Sequence, residues 1–322
     1  MTNRKPARPP YGLLALLLVF GAAMVALPAV DRSWTESLIR QREEGFVQVM
    51  RRTVFEDDAL GGSDIPVLLL ALGMGAYVWS GRAAAGRRAV RLRPALGYVV
   101  VGALVGALGP VQALKWVMGR ARPMVVLGPE HLPYTDWYTF GAHYVTDGLY
   151  WGSFPSGHTA AAFIPMAAVY ALLGDPSVPR LGRAAGWALG VLTLGFTAAM
   201  AVASAMTRNH WISDAVGVTG LVWLLLHGFY FRVLRVPEQR SWVARAGRPL
   251  PLPRLWEARL CLHGLAALAG LTALGIGARA PMLQHPPWLA LLMPPGLAMA
   301  WWFFRRATRL LRRLHSVLDE VG

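Results

Sequence analysis

The sequence predicts an all-α fold, a polytopic integral membrane bundle of helices. Of its 322 residues, 55% are apolar and 15% are charged, whereas a soluble protein averages about 25% charged residues. The apolar residues form eight uncharged runs, most of them near the roughly 20 residues that a helix needs to cross a bilayer. Because the runs lack the alternation of a β-strand, and backbone inside lipid forms only helices or closed barrels, we predict helices. The composition excludes a disordered chain, and the single cysteine, Cys261, excludes a disulfide scaffold.

The eight runs follow one another along the chain. They cover residues 13–30, 65–80, 95–114, 159–173, 185–204, 215–231, 260–277 and 288–304. The first run follows a basic head, which is also typical of a cleaved signal peptide, but a poor small-x-small cleavage pattern favours an uncleaved helix. The fourth run is short for a span, and its flanks could extend it. Eight spans would place both termini on the same side of the membrane.

The net charge of +15 is distributed unevenly between the two sides that this topology defines. The N-terminus, residues 81–94, 174–184 and 232–259, and the tail after 304 hold 22 Lys and Arg against 5 acidic residues. The other side holds 10 Lys and Arg against 12 acidic residues. Because cytoplasmic loops of membrane proteins are enriched in Lys and Arg, both termini are predicted to be cytoplasmic. The basic residues recur in short loops rather than on one folded surface, so no nucleic-acid partner is expected.

Two segments on the opposite, periplasm-like side are long enough to form structure. Residues 31–64 mix charges of both signs with apolar residues, a pattern typical of an amphipathic helix at the interface or of a solvated connector. Residues 115–158 are rich in Gly, Pro, Tyr and Trp. Three groups of polar residues lie at the ends of runs on this side.

The first group begins with Lys115, where the third run meets the outer surface, and ends with Arg122 and Pro123. If the helix continues, Lys115 and Arg122 are two turns apart and project from one face. Two cations on one face would form an anion clamp. The alternative is that both side chains merely extend to the membrane interface.

The second group, Pro155-Ser156-Gly157-His158, leads directly into the fourth run. A turn that enters a helix exposes unpaired N–H groups, and together with the helix dipole these groups favour phosphate. Ser156 can cap the helix or contribute its hydroxyl. His158 lies in the first turn at the same edge, where a single histidine is usually an interfacial hydrogen-bonding residue.

The third group lies between the fifth and sixth runs and contains His210 and Asp214. On a helix, their i,i+4 spacing makes the two side chains face each other. A carboxylate that accepts one ring N–H fixes the tautomer and makes the other nitrogen a better nucleophile or base. Together the three groups offer an anion clamp, a helix N-terminus, two histidines and an orienting carboxylate. Such a set suits phosphoryl transfer through a covalent histidine intermediate.

The three groups resemble the signature of the type-2 phosphatidic acid phosphatase superfamily of membrane lipid phosphatases. That signature has three blocks: Lys-x6-Arg-Pro, Pro-Ser-Gly-His and Ser-Arg-x5-His-x3-Asp. Residues 115–123 match the first block and residues 155–158 match the second. His210 and Asp214 match the end of the third. The resemblance covers roughly residues 95–231, the catalytic core of the family.

The resemblance implies a phosphate-binding role for four residues. Lys115 and Arg122 would bind the phosphate oxygens, and Ser156 and the backbone of Gly157 would assist them.

The resemblance also implies three catalytic residues. His210 would attack phosphorus, Asp214 would orient and polarise it, and His158 would protonate the leaving oxygen. Water would then hydrolyse the phosphohistidine. This mechanism needs no metal and no other cofactor.

One departure from the signature weakens the phosphate clamp. Ser204 stands where the third block has its Arg, and Ala203 stands where it has its Ser. A missing Arg removes a charge-assisted, often bidentate contact. Arg208 and Arg120 are candidates to replace it, and an enzyme with weakened or altered activity is the alternative.

The resemblance divides the chain into four parts. Residues 1–64 form an N-terminal transmembrane helix and an outer amphipathic segment, and residues 65–231 form the catalytic membrane core. Residues 232–259 are a basic cytoplasmic linker, and residues 260–322 add two transmembrane helices and a basic tail to a six-helix core. No metal site is expected, because the outer histidines lack metal-ligand spacing. These histidines are His131, His143 and His285.

The resulting hypothesis is a phosphoric monoester or pyrophosphate hydrolase in a bacterial inner membrane, with its active site at the periplasmic face. Its candidate substrates are undecaprenyl pyrophosphate, phosphatidylglycerol phosphate, phosphatidate and lipid A, each with its tail in the bilayer. Aromatic residues between the first two blocks suit a lid over the lipid headgroup or an ordinary aromatic belt. They are Tyr134, Trp137, Tyr138, Tyr144 and Trp151. A lipid-to-lipid phosphotransferase and a catalytically weakened lipid-binding or lipid-translocating protein are the alternative functions.

Overall fold

The computed structural model describes residues 11–51, 65–82, 86–129, 132–139, 152–174, 178–253, 255–283 and 286–320. Within these ranges every regular element is a helix, so the all-α prediction is confirmed. The α-helices are α1 (Tyr11–Ala26), α2 (Asp31–Arg40), α3 (Glu44–Arg51), α4 (Ile65–Ser80), α5 (Gly86–Val101), α6 (Gly109–Met118), α7 (Pro123–Val126), α8 (Gly157–Phe163), α9 (Met166–Leu173), α10 (Arg180–Met206), α11 (Ile212–Gly228), α12 (Val236–Ala246), α13 (Trp256–Arg279) and α14 (Met293–Asp319).

All eight predicted runs are helical, and most of them reach the length of a membrane span. Five segments of the described chain are long and apolar enough to cross a bilayer: Ala89–Val126, Arg180–Met206, Ile212–Ala246, Trp256–Arg279 and Pro287–Asp319. The bent pair Leu13–Ala29 and Asp31–Arg40 would be a sixth if it is counted as one span, and the second and fourth runs form the shorter apolar helices Leu68–Ser80 and Gly157–Leu173. The chain is therefore a multi-pass membrane protein, and the count of eight complete spans stays a prediction.

The chain bends sharply at the end of the first run. A 3-10 turn, Leu27–Ala29, contains a proline and joins α1 to α2, whose axis is turned by 75°. Proline lacks the N–H that would continue a regular helix, so a bend here is expected. The turn places Asp31 at the start of α2, where its side chain is buried in the end of the bundle.

Helices α2 and α3 cover the first part of the segment predicted to be amphipathic. On α3, Val47 and Met50 are buried, whereas Glu44 is exposed. On α2 the buried side chains are polar, namely Asp31 and Thr35. Residues 31–40 and 44–51 are helical as predicted, residues 41–43 are not, and residues 52–64 lie outside the described residues.

The third run forms a helix whose geometry changes near its middle. Helix α5 continues through a π-helical segment, Gly102–Leu108, into α6, whose second residue is Pro110. Because proline has no N–H to donate, it interrupts the regular hydrogen-bond pattern, which fits a π-helical turn before it. A comparable break divides the fourth run, where Ile164 and Pro165 separate α8 from α9.

The core of the bundle is an apolar cluster between α5, α8, α11 and the segments that follow them. Tyr98, Phe163, Leu226 and Tyr230 are fully buried in it. Large apolar side chains elsewhere remain exposed along the helices, for example Leu18, Val25, Leu181, Val191 and Leu291. Exposed apolar surface of this extent is expected where helices face lipid rather than water.

Helices α13 and α14 pack closely against each other, and α13 also packs against the third-run helix. A Cβ atom at Gly270 would lie 2.5 Å from the Ala300 nitrogen, and one at Gly296 would lie 2.6 Å from the Leu274 nitrogen. Only glycine permits this approach of the two backbones, which is typical of helix pairs in membranes. Arg279, at the end of α13, donates a 2.8 Å hydrogen bond to the Val117 carbonyl on α6.

Polar interactions collect at the two ends of the bundle. At one end, Tyr77 donates to Glu257 at 2.6 Å, and Arg235 donates to Asp319 at 2.8 Å. The residues involved belong to the second run and to the basic segments predicted to share the cytoplasmic side. At the opposite end, Asp31, Lys115, Ser153 and Asp214 converge. The structure thus groups the loops as the charge pattern predicts.

Candidate active site

Lys115 is the first predicted site residue, and the structure buries it at the end of α6. Its ammonium donates a 3.1 Å hydrogen bond to the Gly152 carbonyl. The helix does not continue to Arg122, because α6 ends at Met118, so the two cations do not project from one helical face. Gly119 then adopts a left-handed conformation (φ 58°) and its N–H bonds the Lys115 carbonyl, a common way for glycine to end a helix.

Arg122 instead precedes the short helix α7, in an extended conformation. It nevertheless lies close enough to the Lys115 ammonium for the two charges to interact. Two like charges held at this separation favour an anion between them. The two cations are therefore neighbours despite the change of backbone geometry, and their role as an anion clamp stays a prediction.

The loop before α8 is bonded to the turn after α6. The Gly152 N–H donates to the Lys115 carbonyl at 3.1 Å, and the Ser153 N–H donates to the Arg120 carbonyl at 2.7 Å. Gly152 must be glycine here, because a Cβ would lie 2.6 Å from the Arg120 nitrogen. These contacts hold the first and second sequence blocks side by side.

Ser156 and Gly157 begin α8 beside the lysine. The Ser156 hydroxyl caps the helix by accepting hydrogen bonds from the Thr159 N–H at 3.3 Å and from the Thr159 hydroxyl at 2.9 Å. A Cβ at Gly157 would lie 3.3 Å from Cε of Lys115. The aliphatic part of the Lys115 side chain therefore passes directly over the start of α8. The predicted lysine and the predicted turn thus lie together in one site.

His210 and Asp214 meet at the start of α11, although not in the predicted way. The helix begins at Ile212, so the two residues do not lie on one helix and the i,i+4 geometry does not apply to them. Asp214 instead lies in the first turn, and its Oδ2 accepts the Trp211 N–H at 2.8 Å. This turn folds His210 back until its Nδ1 is 3.6 Å from Asp214 Oδ2.

Ser153 lies between the imidazole and the carboxylate. Its hydroxyl donates a short hydrogen bond to Asp214 Oδ2, and its oxygen is 3.4 Å from His210 Nδ1. Both oxygens near Nδ1 favour a proton on that nitrogen, which leaves Nε2 with its lone pair. Burial, with the nearby Lys115 ammonium, lowers the pKa of His210 to about 3, although Asp214 opposes the shift. The imidazole is therefore neutral at physiological pH, as a nucleophile must be.

Arg120 is the largest polar group of the site, and sequence reasoning gave it the wrong role. Its guanidinium is 1% exposed. It donates to Asp214 Oδ1 at 2.6 Å, Asp31 Oδ2 at 2.9 Å and Ser213 Oγ at 2.7 Å. Further bonds run to the Thr135 carbonyl at 2.8 Å and the Tyr134 hydroxyl at 3.2 Å.

These five contacts engage the five N–H donors of an arginine. The interpretation of Arg120 as a substitute phosphate ligand is therefore wrong, because its donors are committed to protein oxygens. Arg120 acts instead as a bridge between two carboxylates, one from α2 and one from α11. It neutralises Asp214 from the side opposite His210 and so fixes the orientation of that carboxylate.

Asp31 is a site residue that the sequence did not reveal. Its carboxylate accepts the Ser213 N–H at 2.8 Å, the Tyr134 hydroxyl at 3.1 Å and the Arg120 guanidinium. The available signal was an acidic residue placed directly after the first apolar run. That signal is weak, because an acidic residue at a helix start is common for electrostatic reasons.

His158 lies in the first turn of α8 and its ring faces that of His210. The two ring centroids are 5.5 Å apart, with their planes at 69°. A phosphorus atom bonded to one imidazole could thus have its leaving oxygen near the other. Within the described residues, no three His, Cys, Asp or Glu side chains form a possible metal site.

Arg208 lies at the turn after α10, with φ at 61°. Its side chain is exposed, and its carbonyl accepts the Met124 N–H at 2.9 Å. Its role at the phosphate stays a prediction.

The described part of the predicted aromatic lid packs onto the end of the bundle. Tyr134 stacks edge-on against Trp211, with ring centroids 4.8 Å apart, and Trp137 donates to the Met24 carbonyl at 2.9 Å. Tyr138 is exposed. Tyr144, Trp151 and the histidines at 131, 143 and 285 lie outside the described residues. Tyr134 therefore belongs to the polar network around Arg120.

The fold and the site together define a multi-pass membrane protein with a buried, carboxylate-oriented histidine beside cations that can hold an anion. The family model described as the PAP2 superfamily matches residues 94–236, and this match supports membership of the superfamily for that part of the chain. Its members are generally phosphatases that act on phosphorylated, lipid-like substrates. The matched region contains the three sequence blocks and excludes α2, α3, α13 and α14.

Comparison with curated proteins and with solved structures found no match to the chain.

Proposed function

We propose that the protein is a lipid phosphatase that removes a phosphate from a lipid phosphate or pyrophosphate through a phosphohistidine. The observation that carries this proposal is the buried His210 imidazole, whose Nδ1 faces Asp214 Oδ2 and Ser153 Oγ. Membership of the superfamily supports phosphatase chemistry in general. The apolar helices around the site support a substrate whose tail remains in the bilayer.

In the first step, His210 Nε2 attacks phosphorus and the bond from phosphorus to the lipid oxygen breaks. His158 gives its proton to that oxygen, so the lipid leaves as an alcohol, or as a monophosphate where the substrate is a pyrophosphate. Asp214 stabilises the positive charge that develops on His210.

In the second step, a water molecule attacks the phosphohistidine. His158 takes the proton of the water, the N–P bond breaks, and inorganic phosphate leaves with His210 restored. The positive charges of Lys115 and Arg122 stabilise the transferring phosphoryl group in both steps. No residue in this scheme requires a metal ion.

The proposed substrates are the lipid phosphates expected from the sequence: undecaprenyl pyrophosphate, phosphatidylglycerol phosphate, phosphatidate and lipid A. The proposal is tested with purified protein and this panel of lipids, by measuring released phosphate. We expect His210→Ala to abolish release and to prevent acid-labile labelling by a substrate carrying radioactive phosphate. His263→Ala is the matched control, because His263 packs on Phe303 in the last two helices.

Three outcomes of the same assay would contradict the proposal. Phosphate that moves to a second lipid without being released would identify a phosphotransferase. No turnover of any lipid would favour a lipid-binding or lipid-translocating protein. Phosphate release that survives in His210→Ala would exclude the histidine mechanism.

We also propose that the site faces the periplasm of a bacterial inner membrane, with both termini in the cytoplasm. The proposal rests on the basic segments at the opposite end of the bundle. With Cys261 replaced by Ala, a membrane-impermeant maleimide should label Gln41→Cys from outside the inner membrane. It should label Arg248→Cys only after permeabilisation, and the reverse pattern would overturn the orientation.

A further inference from the structure

Helix α3 brings a basic residue to the place where the third sequence block lacks one. Met50 of α3 packs against Ala162 of α8 and against Met200 and Ala203 of α10. This apolar contact seats the end of α3 on the last turns of α10. Arg51, the next residue and the last of α3, therefore lies beside the turn that carries His210.

A small cavity of about 10 Å³ marks the meeting point of these helices. Arg51, His158, Ser204 and Thr207 contribute to its walls. A cavity of this size can hold about one water molecule. The arginine is thus a near neighbour of the histidine expected to protonate the leaving group.

Ser204 explains why this space exists. Its side chain is short and buried, and it occupies the position where the third block has an arginine. The Ser204 carbonyl accepts the N–H groups of Asn209 at 3.0 Å and His210 at 3.2 Å. Position 204 is therefore bonded directly to the turn of the proposed nucleophile, and a long side chain there would compete with Arg51 for the same space.

We propose that Arg51 supplies a guanidinium to the substrate phosphate, in place of an arginine at position 204. Resting on the proposed phosphatase function, this inference assigns one phosphate ligand to a helix outside the matched region. Arginine suits the role because its planar fork binds two oxygens of a phosphate at once. Its side chain is exposed and already lines the cavity beside His158, so the guanidinium is near the place where the substrate phosphate would lie.

The first test is the kinetics of Arg51→Ala on a lipid phosphate that the wild type hydrolyses. Loss of a charge-assisted hydrogen bond is expected to lower kcat/KM by about 10- to 100-fold. Arg40→Ala is the matched control, because Arg40 is exposed in the last turn of α2 and does not line the cavity. We expect it to stay within about twofold of the wild type, as is usual for exposed residues away from the site.

Moving the positive charge from position 51 to position 204 distinguishes a phosphate ligand from a residue with only a structural role. Ser204→Arg, added to Arg51→Ala, should restore kcat/KM at least tenfold over the single variant. A structural contact made by Arg51 on α3 would not be restored by an arginine on α10. Arg51→Ala activity equal to that of the wild type, or no recovery in the double variant, would overturn the proposal.

Inorganic phosphate provides a readout that does not depend on turnover. It should raise the thermal-inactivation temperature of the wild type, or its melting temperature where no lipid is hydrolysed, and do so less in Arg51→Ala. Equal stabilisation of both proteins would exclude Arg51 as a phosphate ligand. If the wild type hydrolyses no lipid yet shows this difference, the phosphatase proposal fails while the assignment of Arg51 stands.

Discussion

The two ends of the bundle each contain a buried carboxylate paired with an arginine, yet the two clusters are built differently. At the site, Asp214 Oδ1 lies 2.6 Å from Arg120, and its Oδ2 faces Ser153 and His210. At the opposite end, Glu257 contacts Tyr77 and Arg93 through the same oxygen. Its Oε2 accepts a hydrogen bond from the Tyr77 hydroxyl and lies 3.6 Å from a guanidinium nitrogen of Arg93.

The difference shows what turns a buried ion pair into a candidate catalytic group. The Glu257 carboxylate contacts Tyr77 and Arg93 through one oxygen and so joins three helices, which is a structural role. The Asp214 carboxylate divides its two oxygens between a neutralising cation and an imidazole. Burial and pairing are common to both clusters, so the presence of a buried ion pair does not by itself indicate function.

The largest expected effect comes from removing the charge of Asp214, and the same change at Glu257 should have little effect. Asp214→Asn should lower kcat about a thousandfold, because the amide neither stabilises the developing charge on His210 nor holds its tautomer. Glu257→Gln should leave kcat within about twofold, since its amide oxygen can still accept the Tyr77 hydroxyl. Phosphate release at saturating lipid measures kcat of both variants. Equal losses of kcat in the two variants would contradict the different roles given to Asp214 and Glu257.

A second effect concerns the arginines. Arg120→Lys keeps one positive charge but loses the fork that joins Asp214 to Asp31, so we expect kcat to fall about a hundredfold. Arg93→Lys should change kcat little, because the contact that it alters lies at the far end of the bundle. The comparison uses steady-state kinetics after matching the amount of folded protein by gel filtration. A normal kcat in Arg120→Lys would show that the bridge does not orient Asp214.

The smallest expected effect is the acid sensitivity of the site. The folded pKa of His210, about 3, is below its unfolded value of 6.5, so the unfolded chain binds the additional proton. The stability associated with the neutral imidazole is therefore present above pH 6.5 and is lost as pH falls toward 3. Between pH 7 and pH 5 the loss is about 2 kcal/mol.

Thermal inactivation in detergent at several pH values checks this prediction. His210→Gln removes the titrating group, so its inactivation temperature should decline less between pH 7 and pH 5 than that of the wild type. Equal declines would mean that other groups dominate the acid response.

Much of the fold followed from the apolar runs, because a helix is the form that satisfies its backbone inside lipid. The positions at which the helices are interrupted did not follow from the apolar runs. Gly119 ends α6 before Arg122 because this glycine adopts a left-handed conformation and the loop at Gly152 packs against it. Both features depend on a tertiary contact between segments more than 30 residues apart.

The candidate site likewise contains some residues that the sequence predicted and others that it did not. Lys115, His158, His210 and Asp214 were expected from short motifs, and the structure brings them to one end of the bundle. Asp31 and Arg51 were not recognised as site residues, because they lie on amphipathic helices and no motif spacing links them to the rest. Whether these two residues lie near the site depends on which surface of the bundle α2 and α3 cover, and tertiary packing decides this.

The bridge between Asp31, Arg120 and Asp214 also bears on how the chain is made. Residues 31 and 120 emerge from the ribosome well before residue 214, and a buried guanidinium without a counter-ion is costly in a membrane. Asp31 can neutralise Arg120 while the later helices are still being synthesised, and the turn at His210 can then dock onto a bridge that is already charge-balanced. In this sequence of events the ion pair that positions the proposed nucleophile is assembled before His210 itself is inserted.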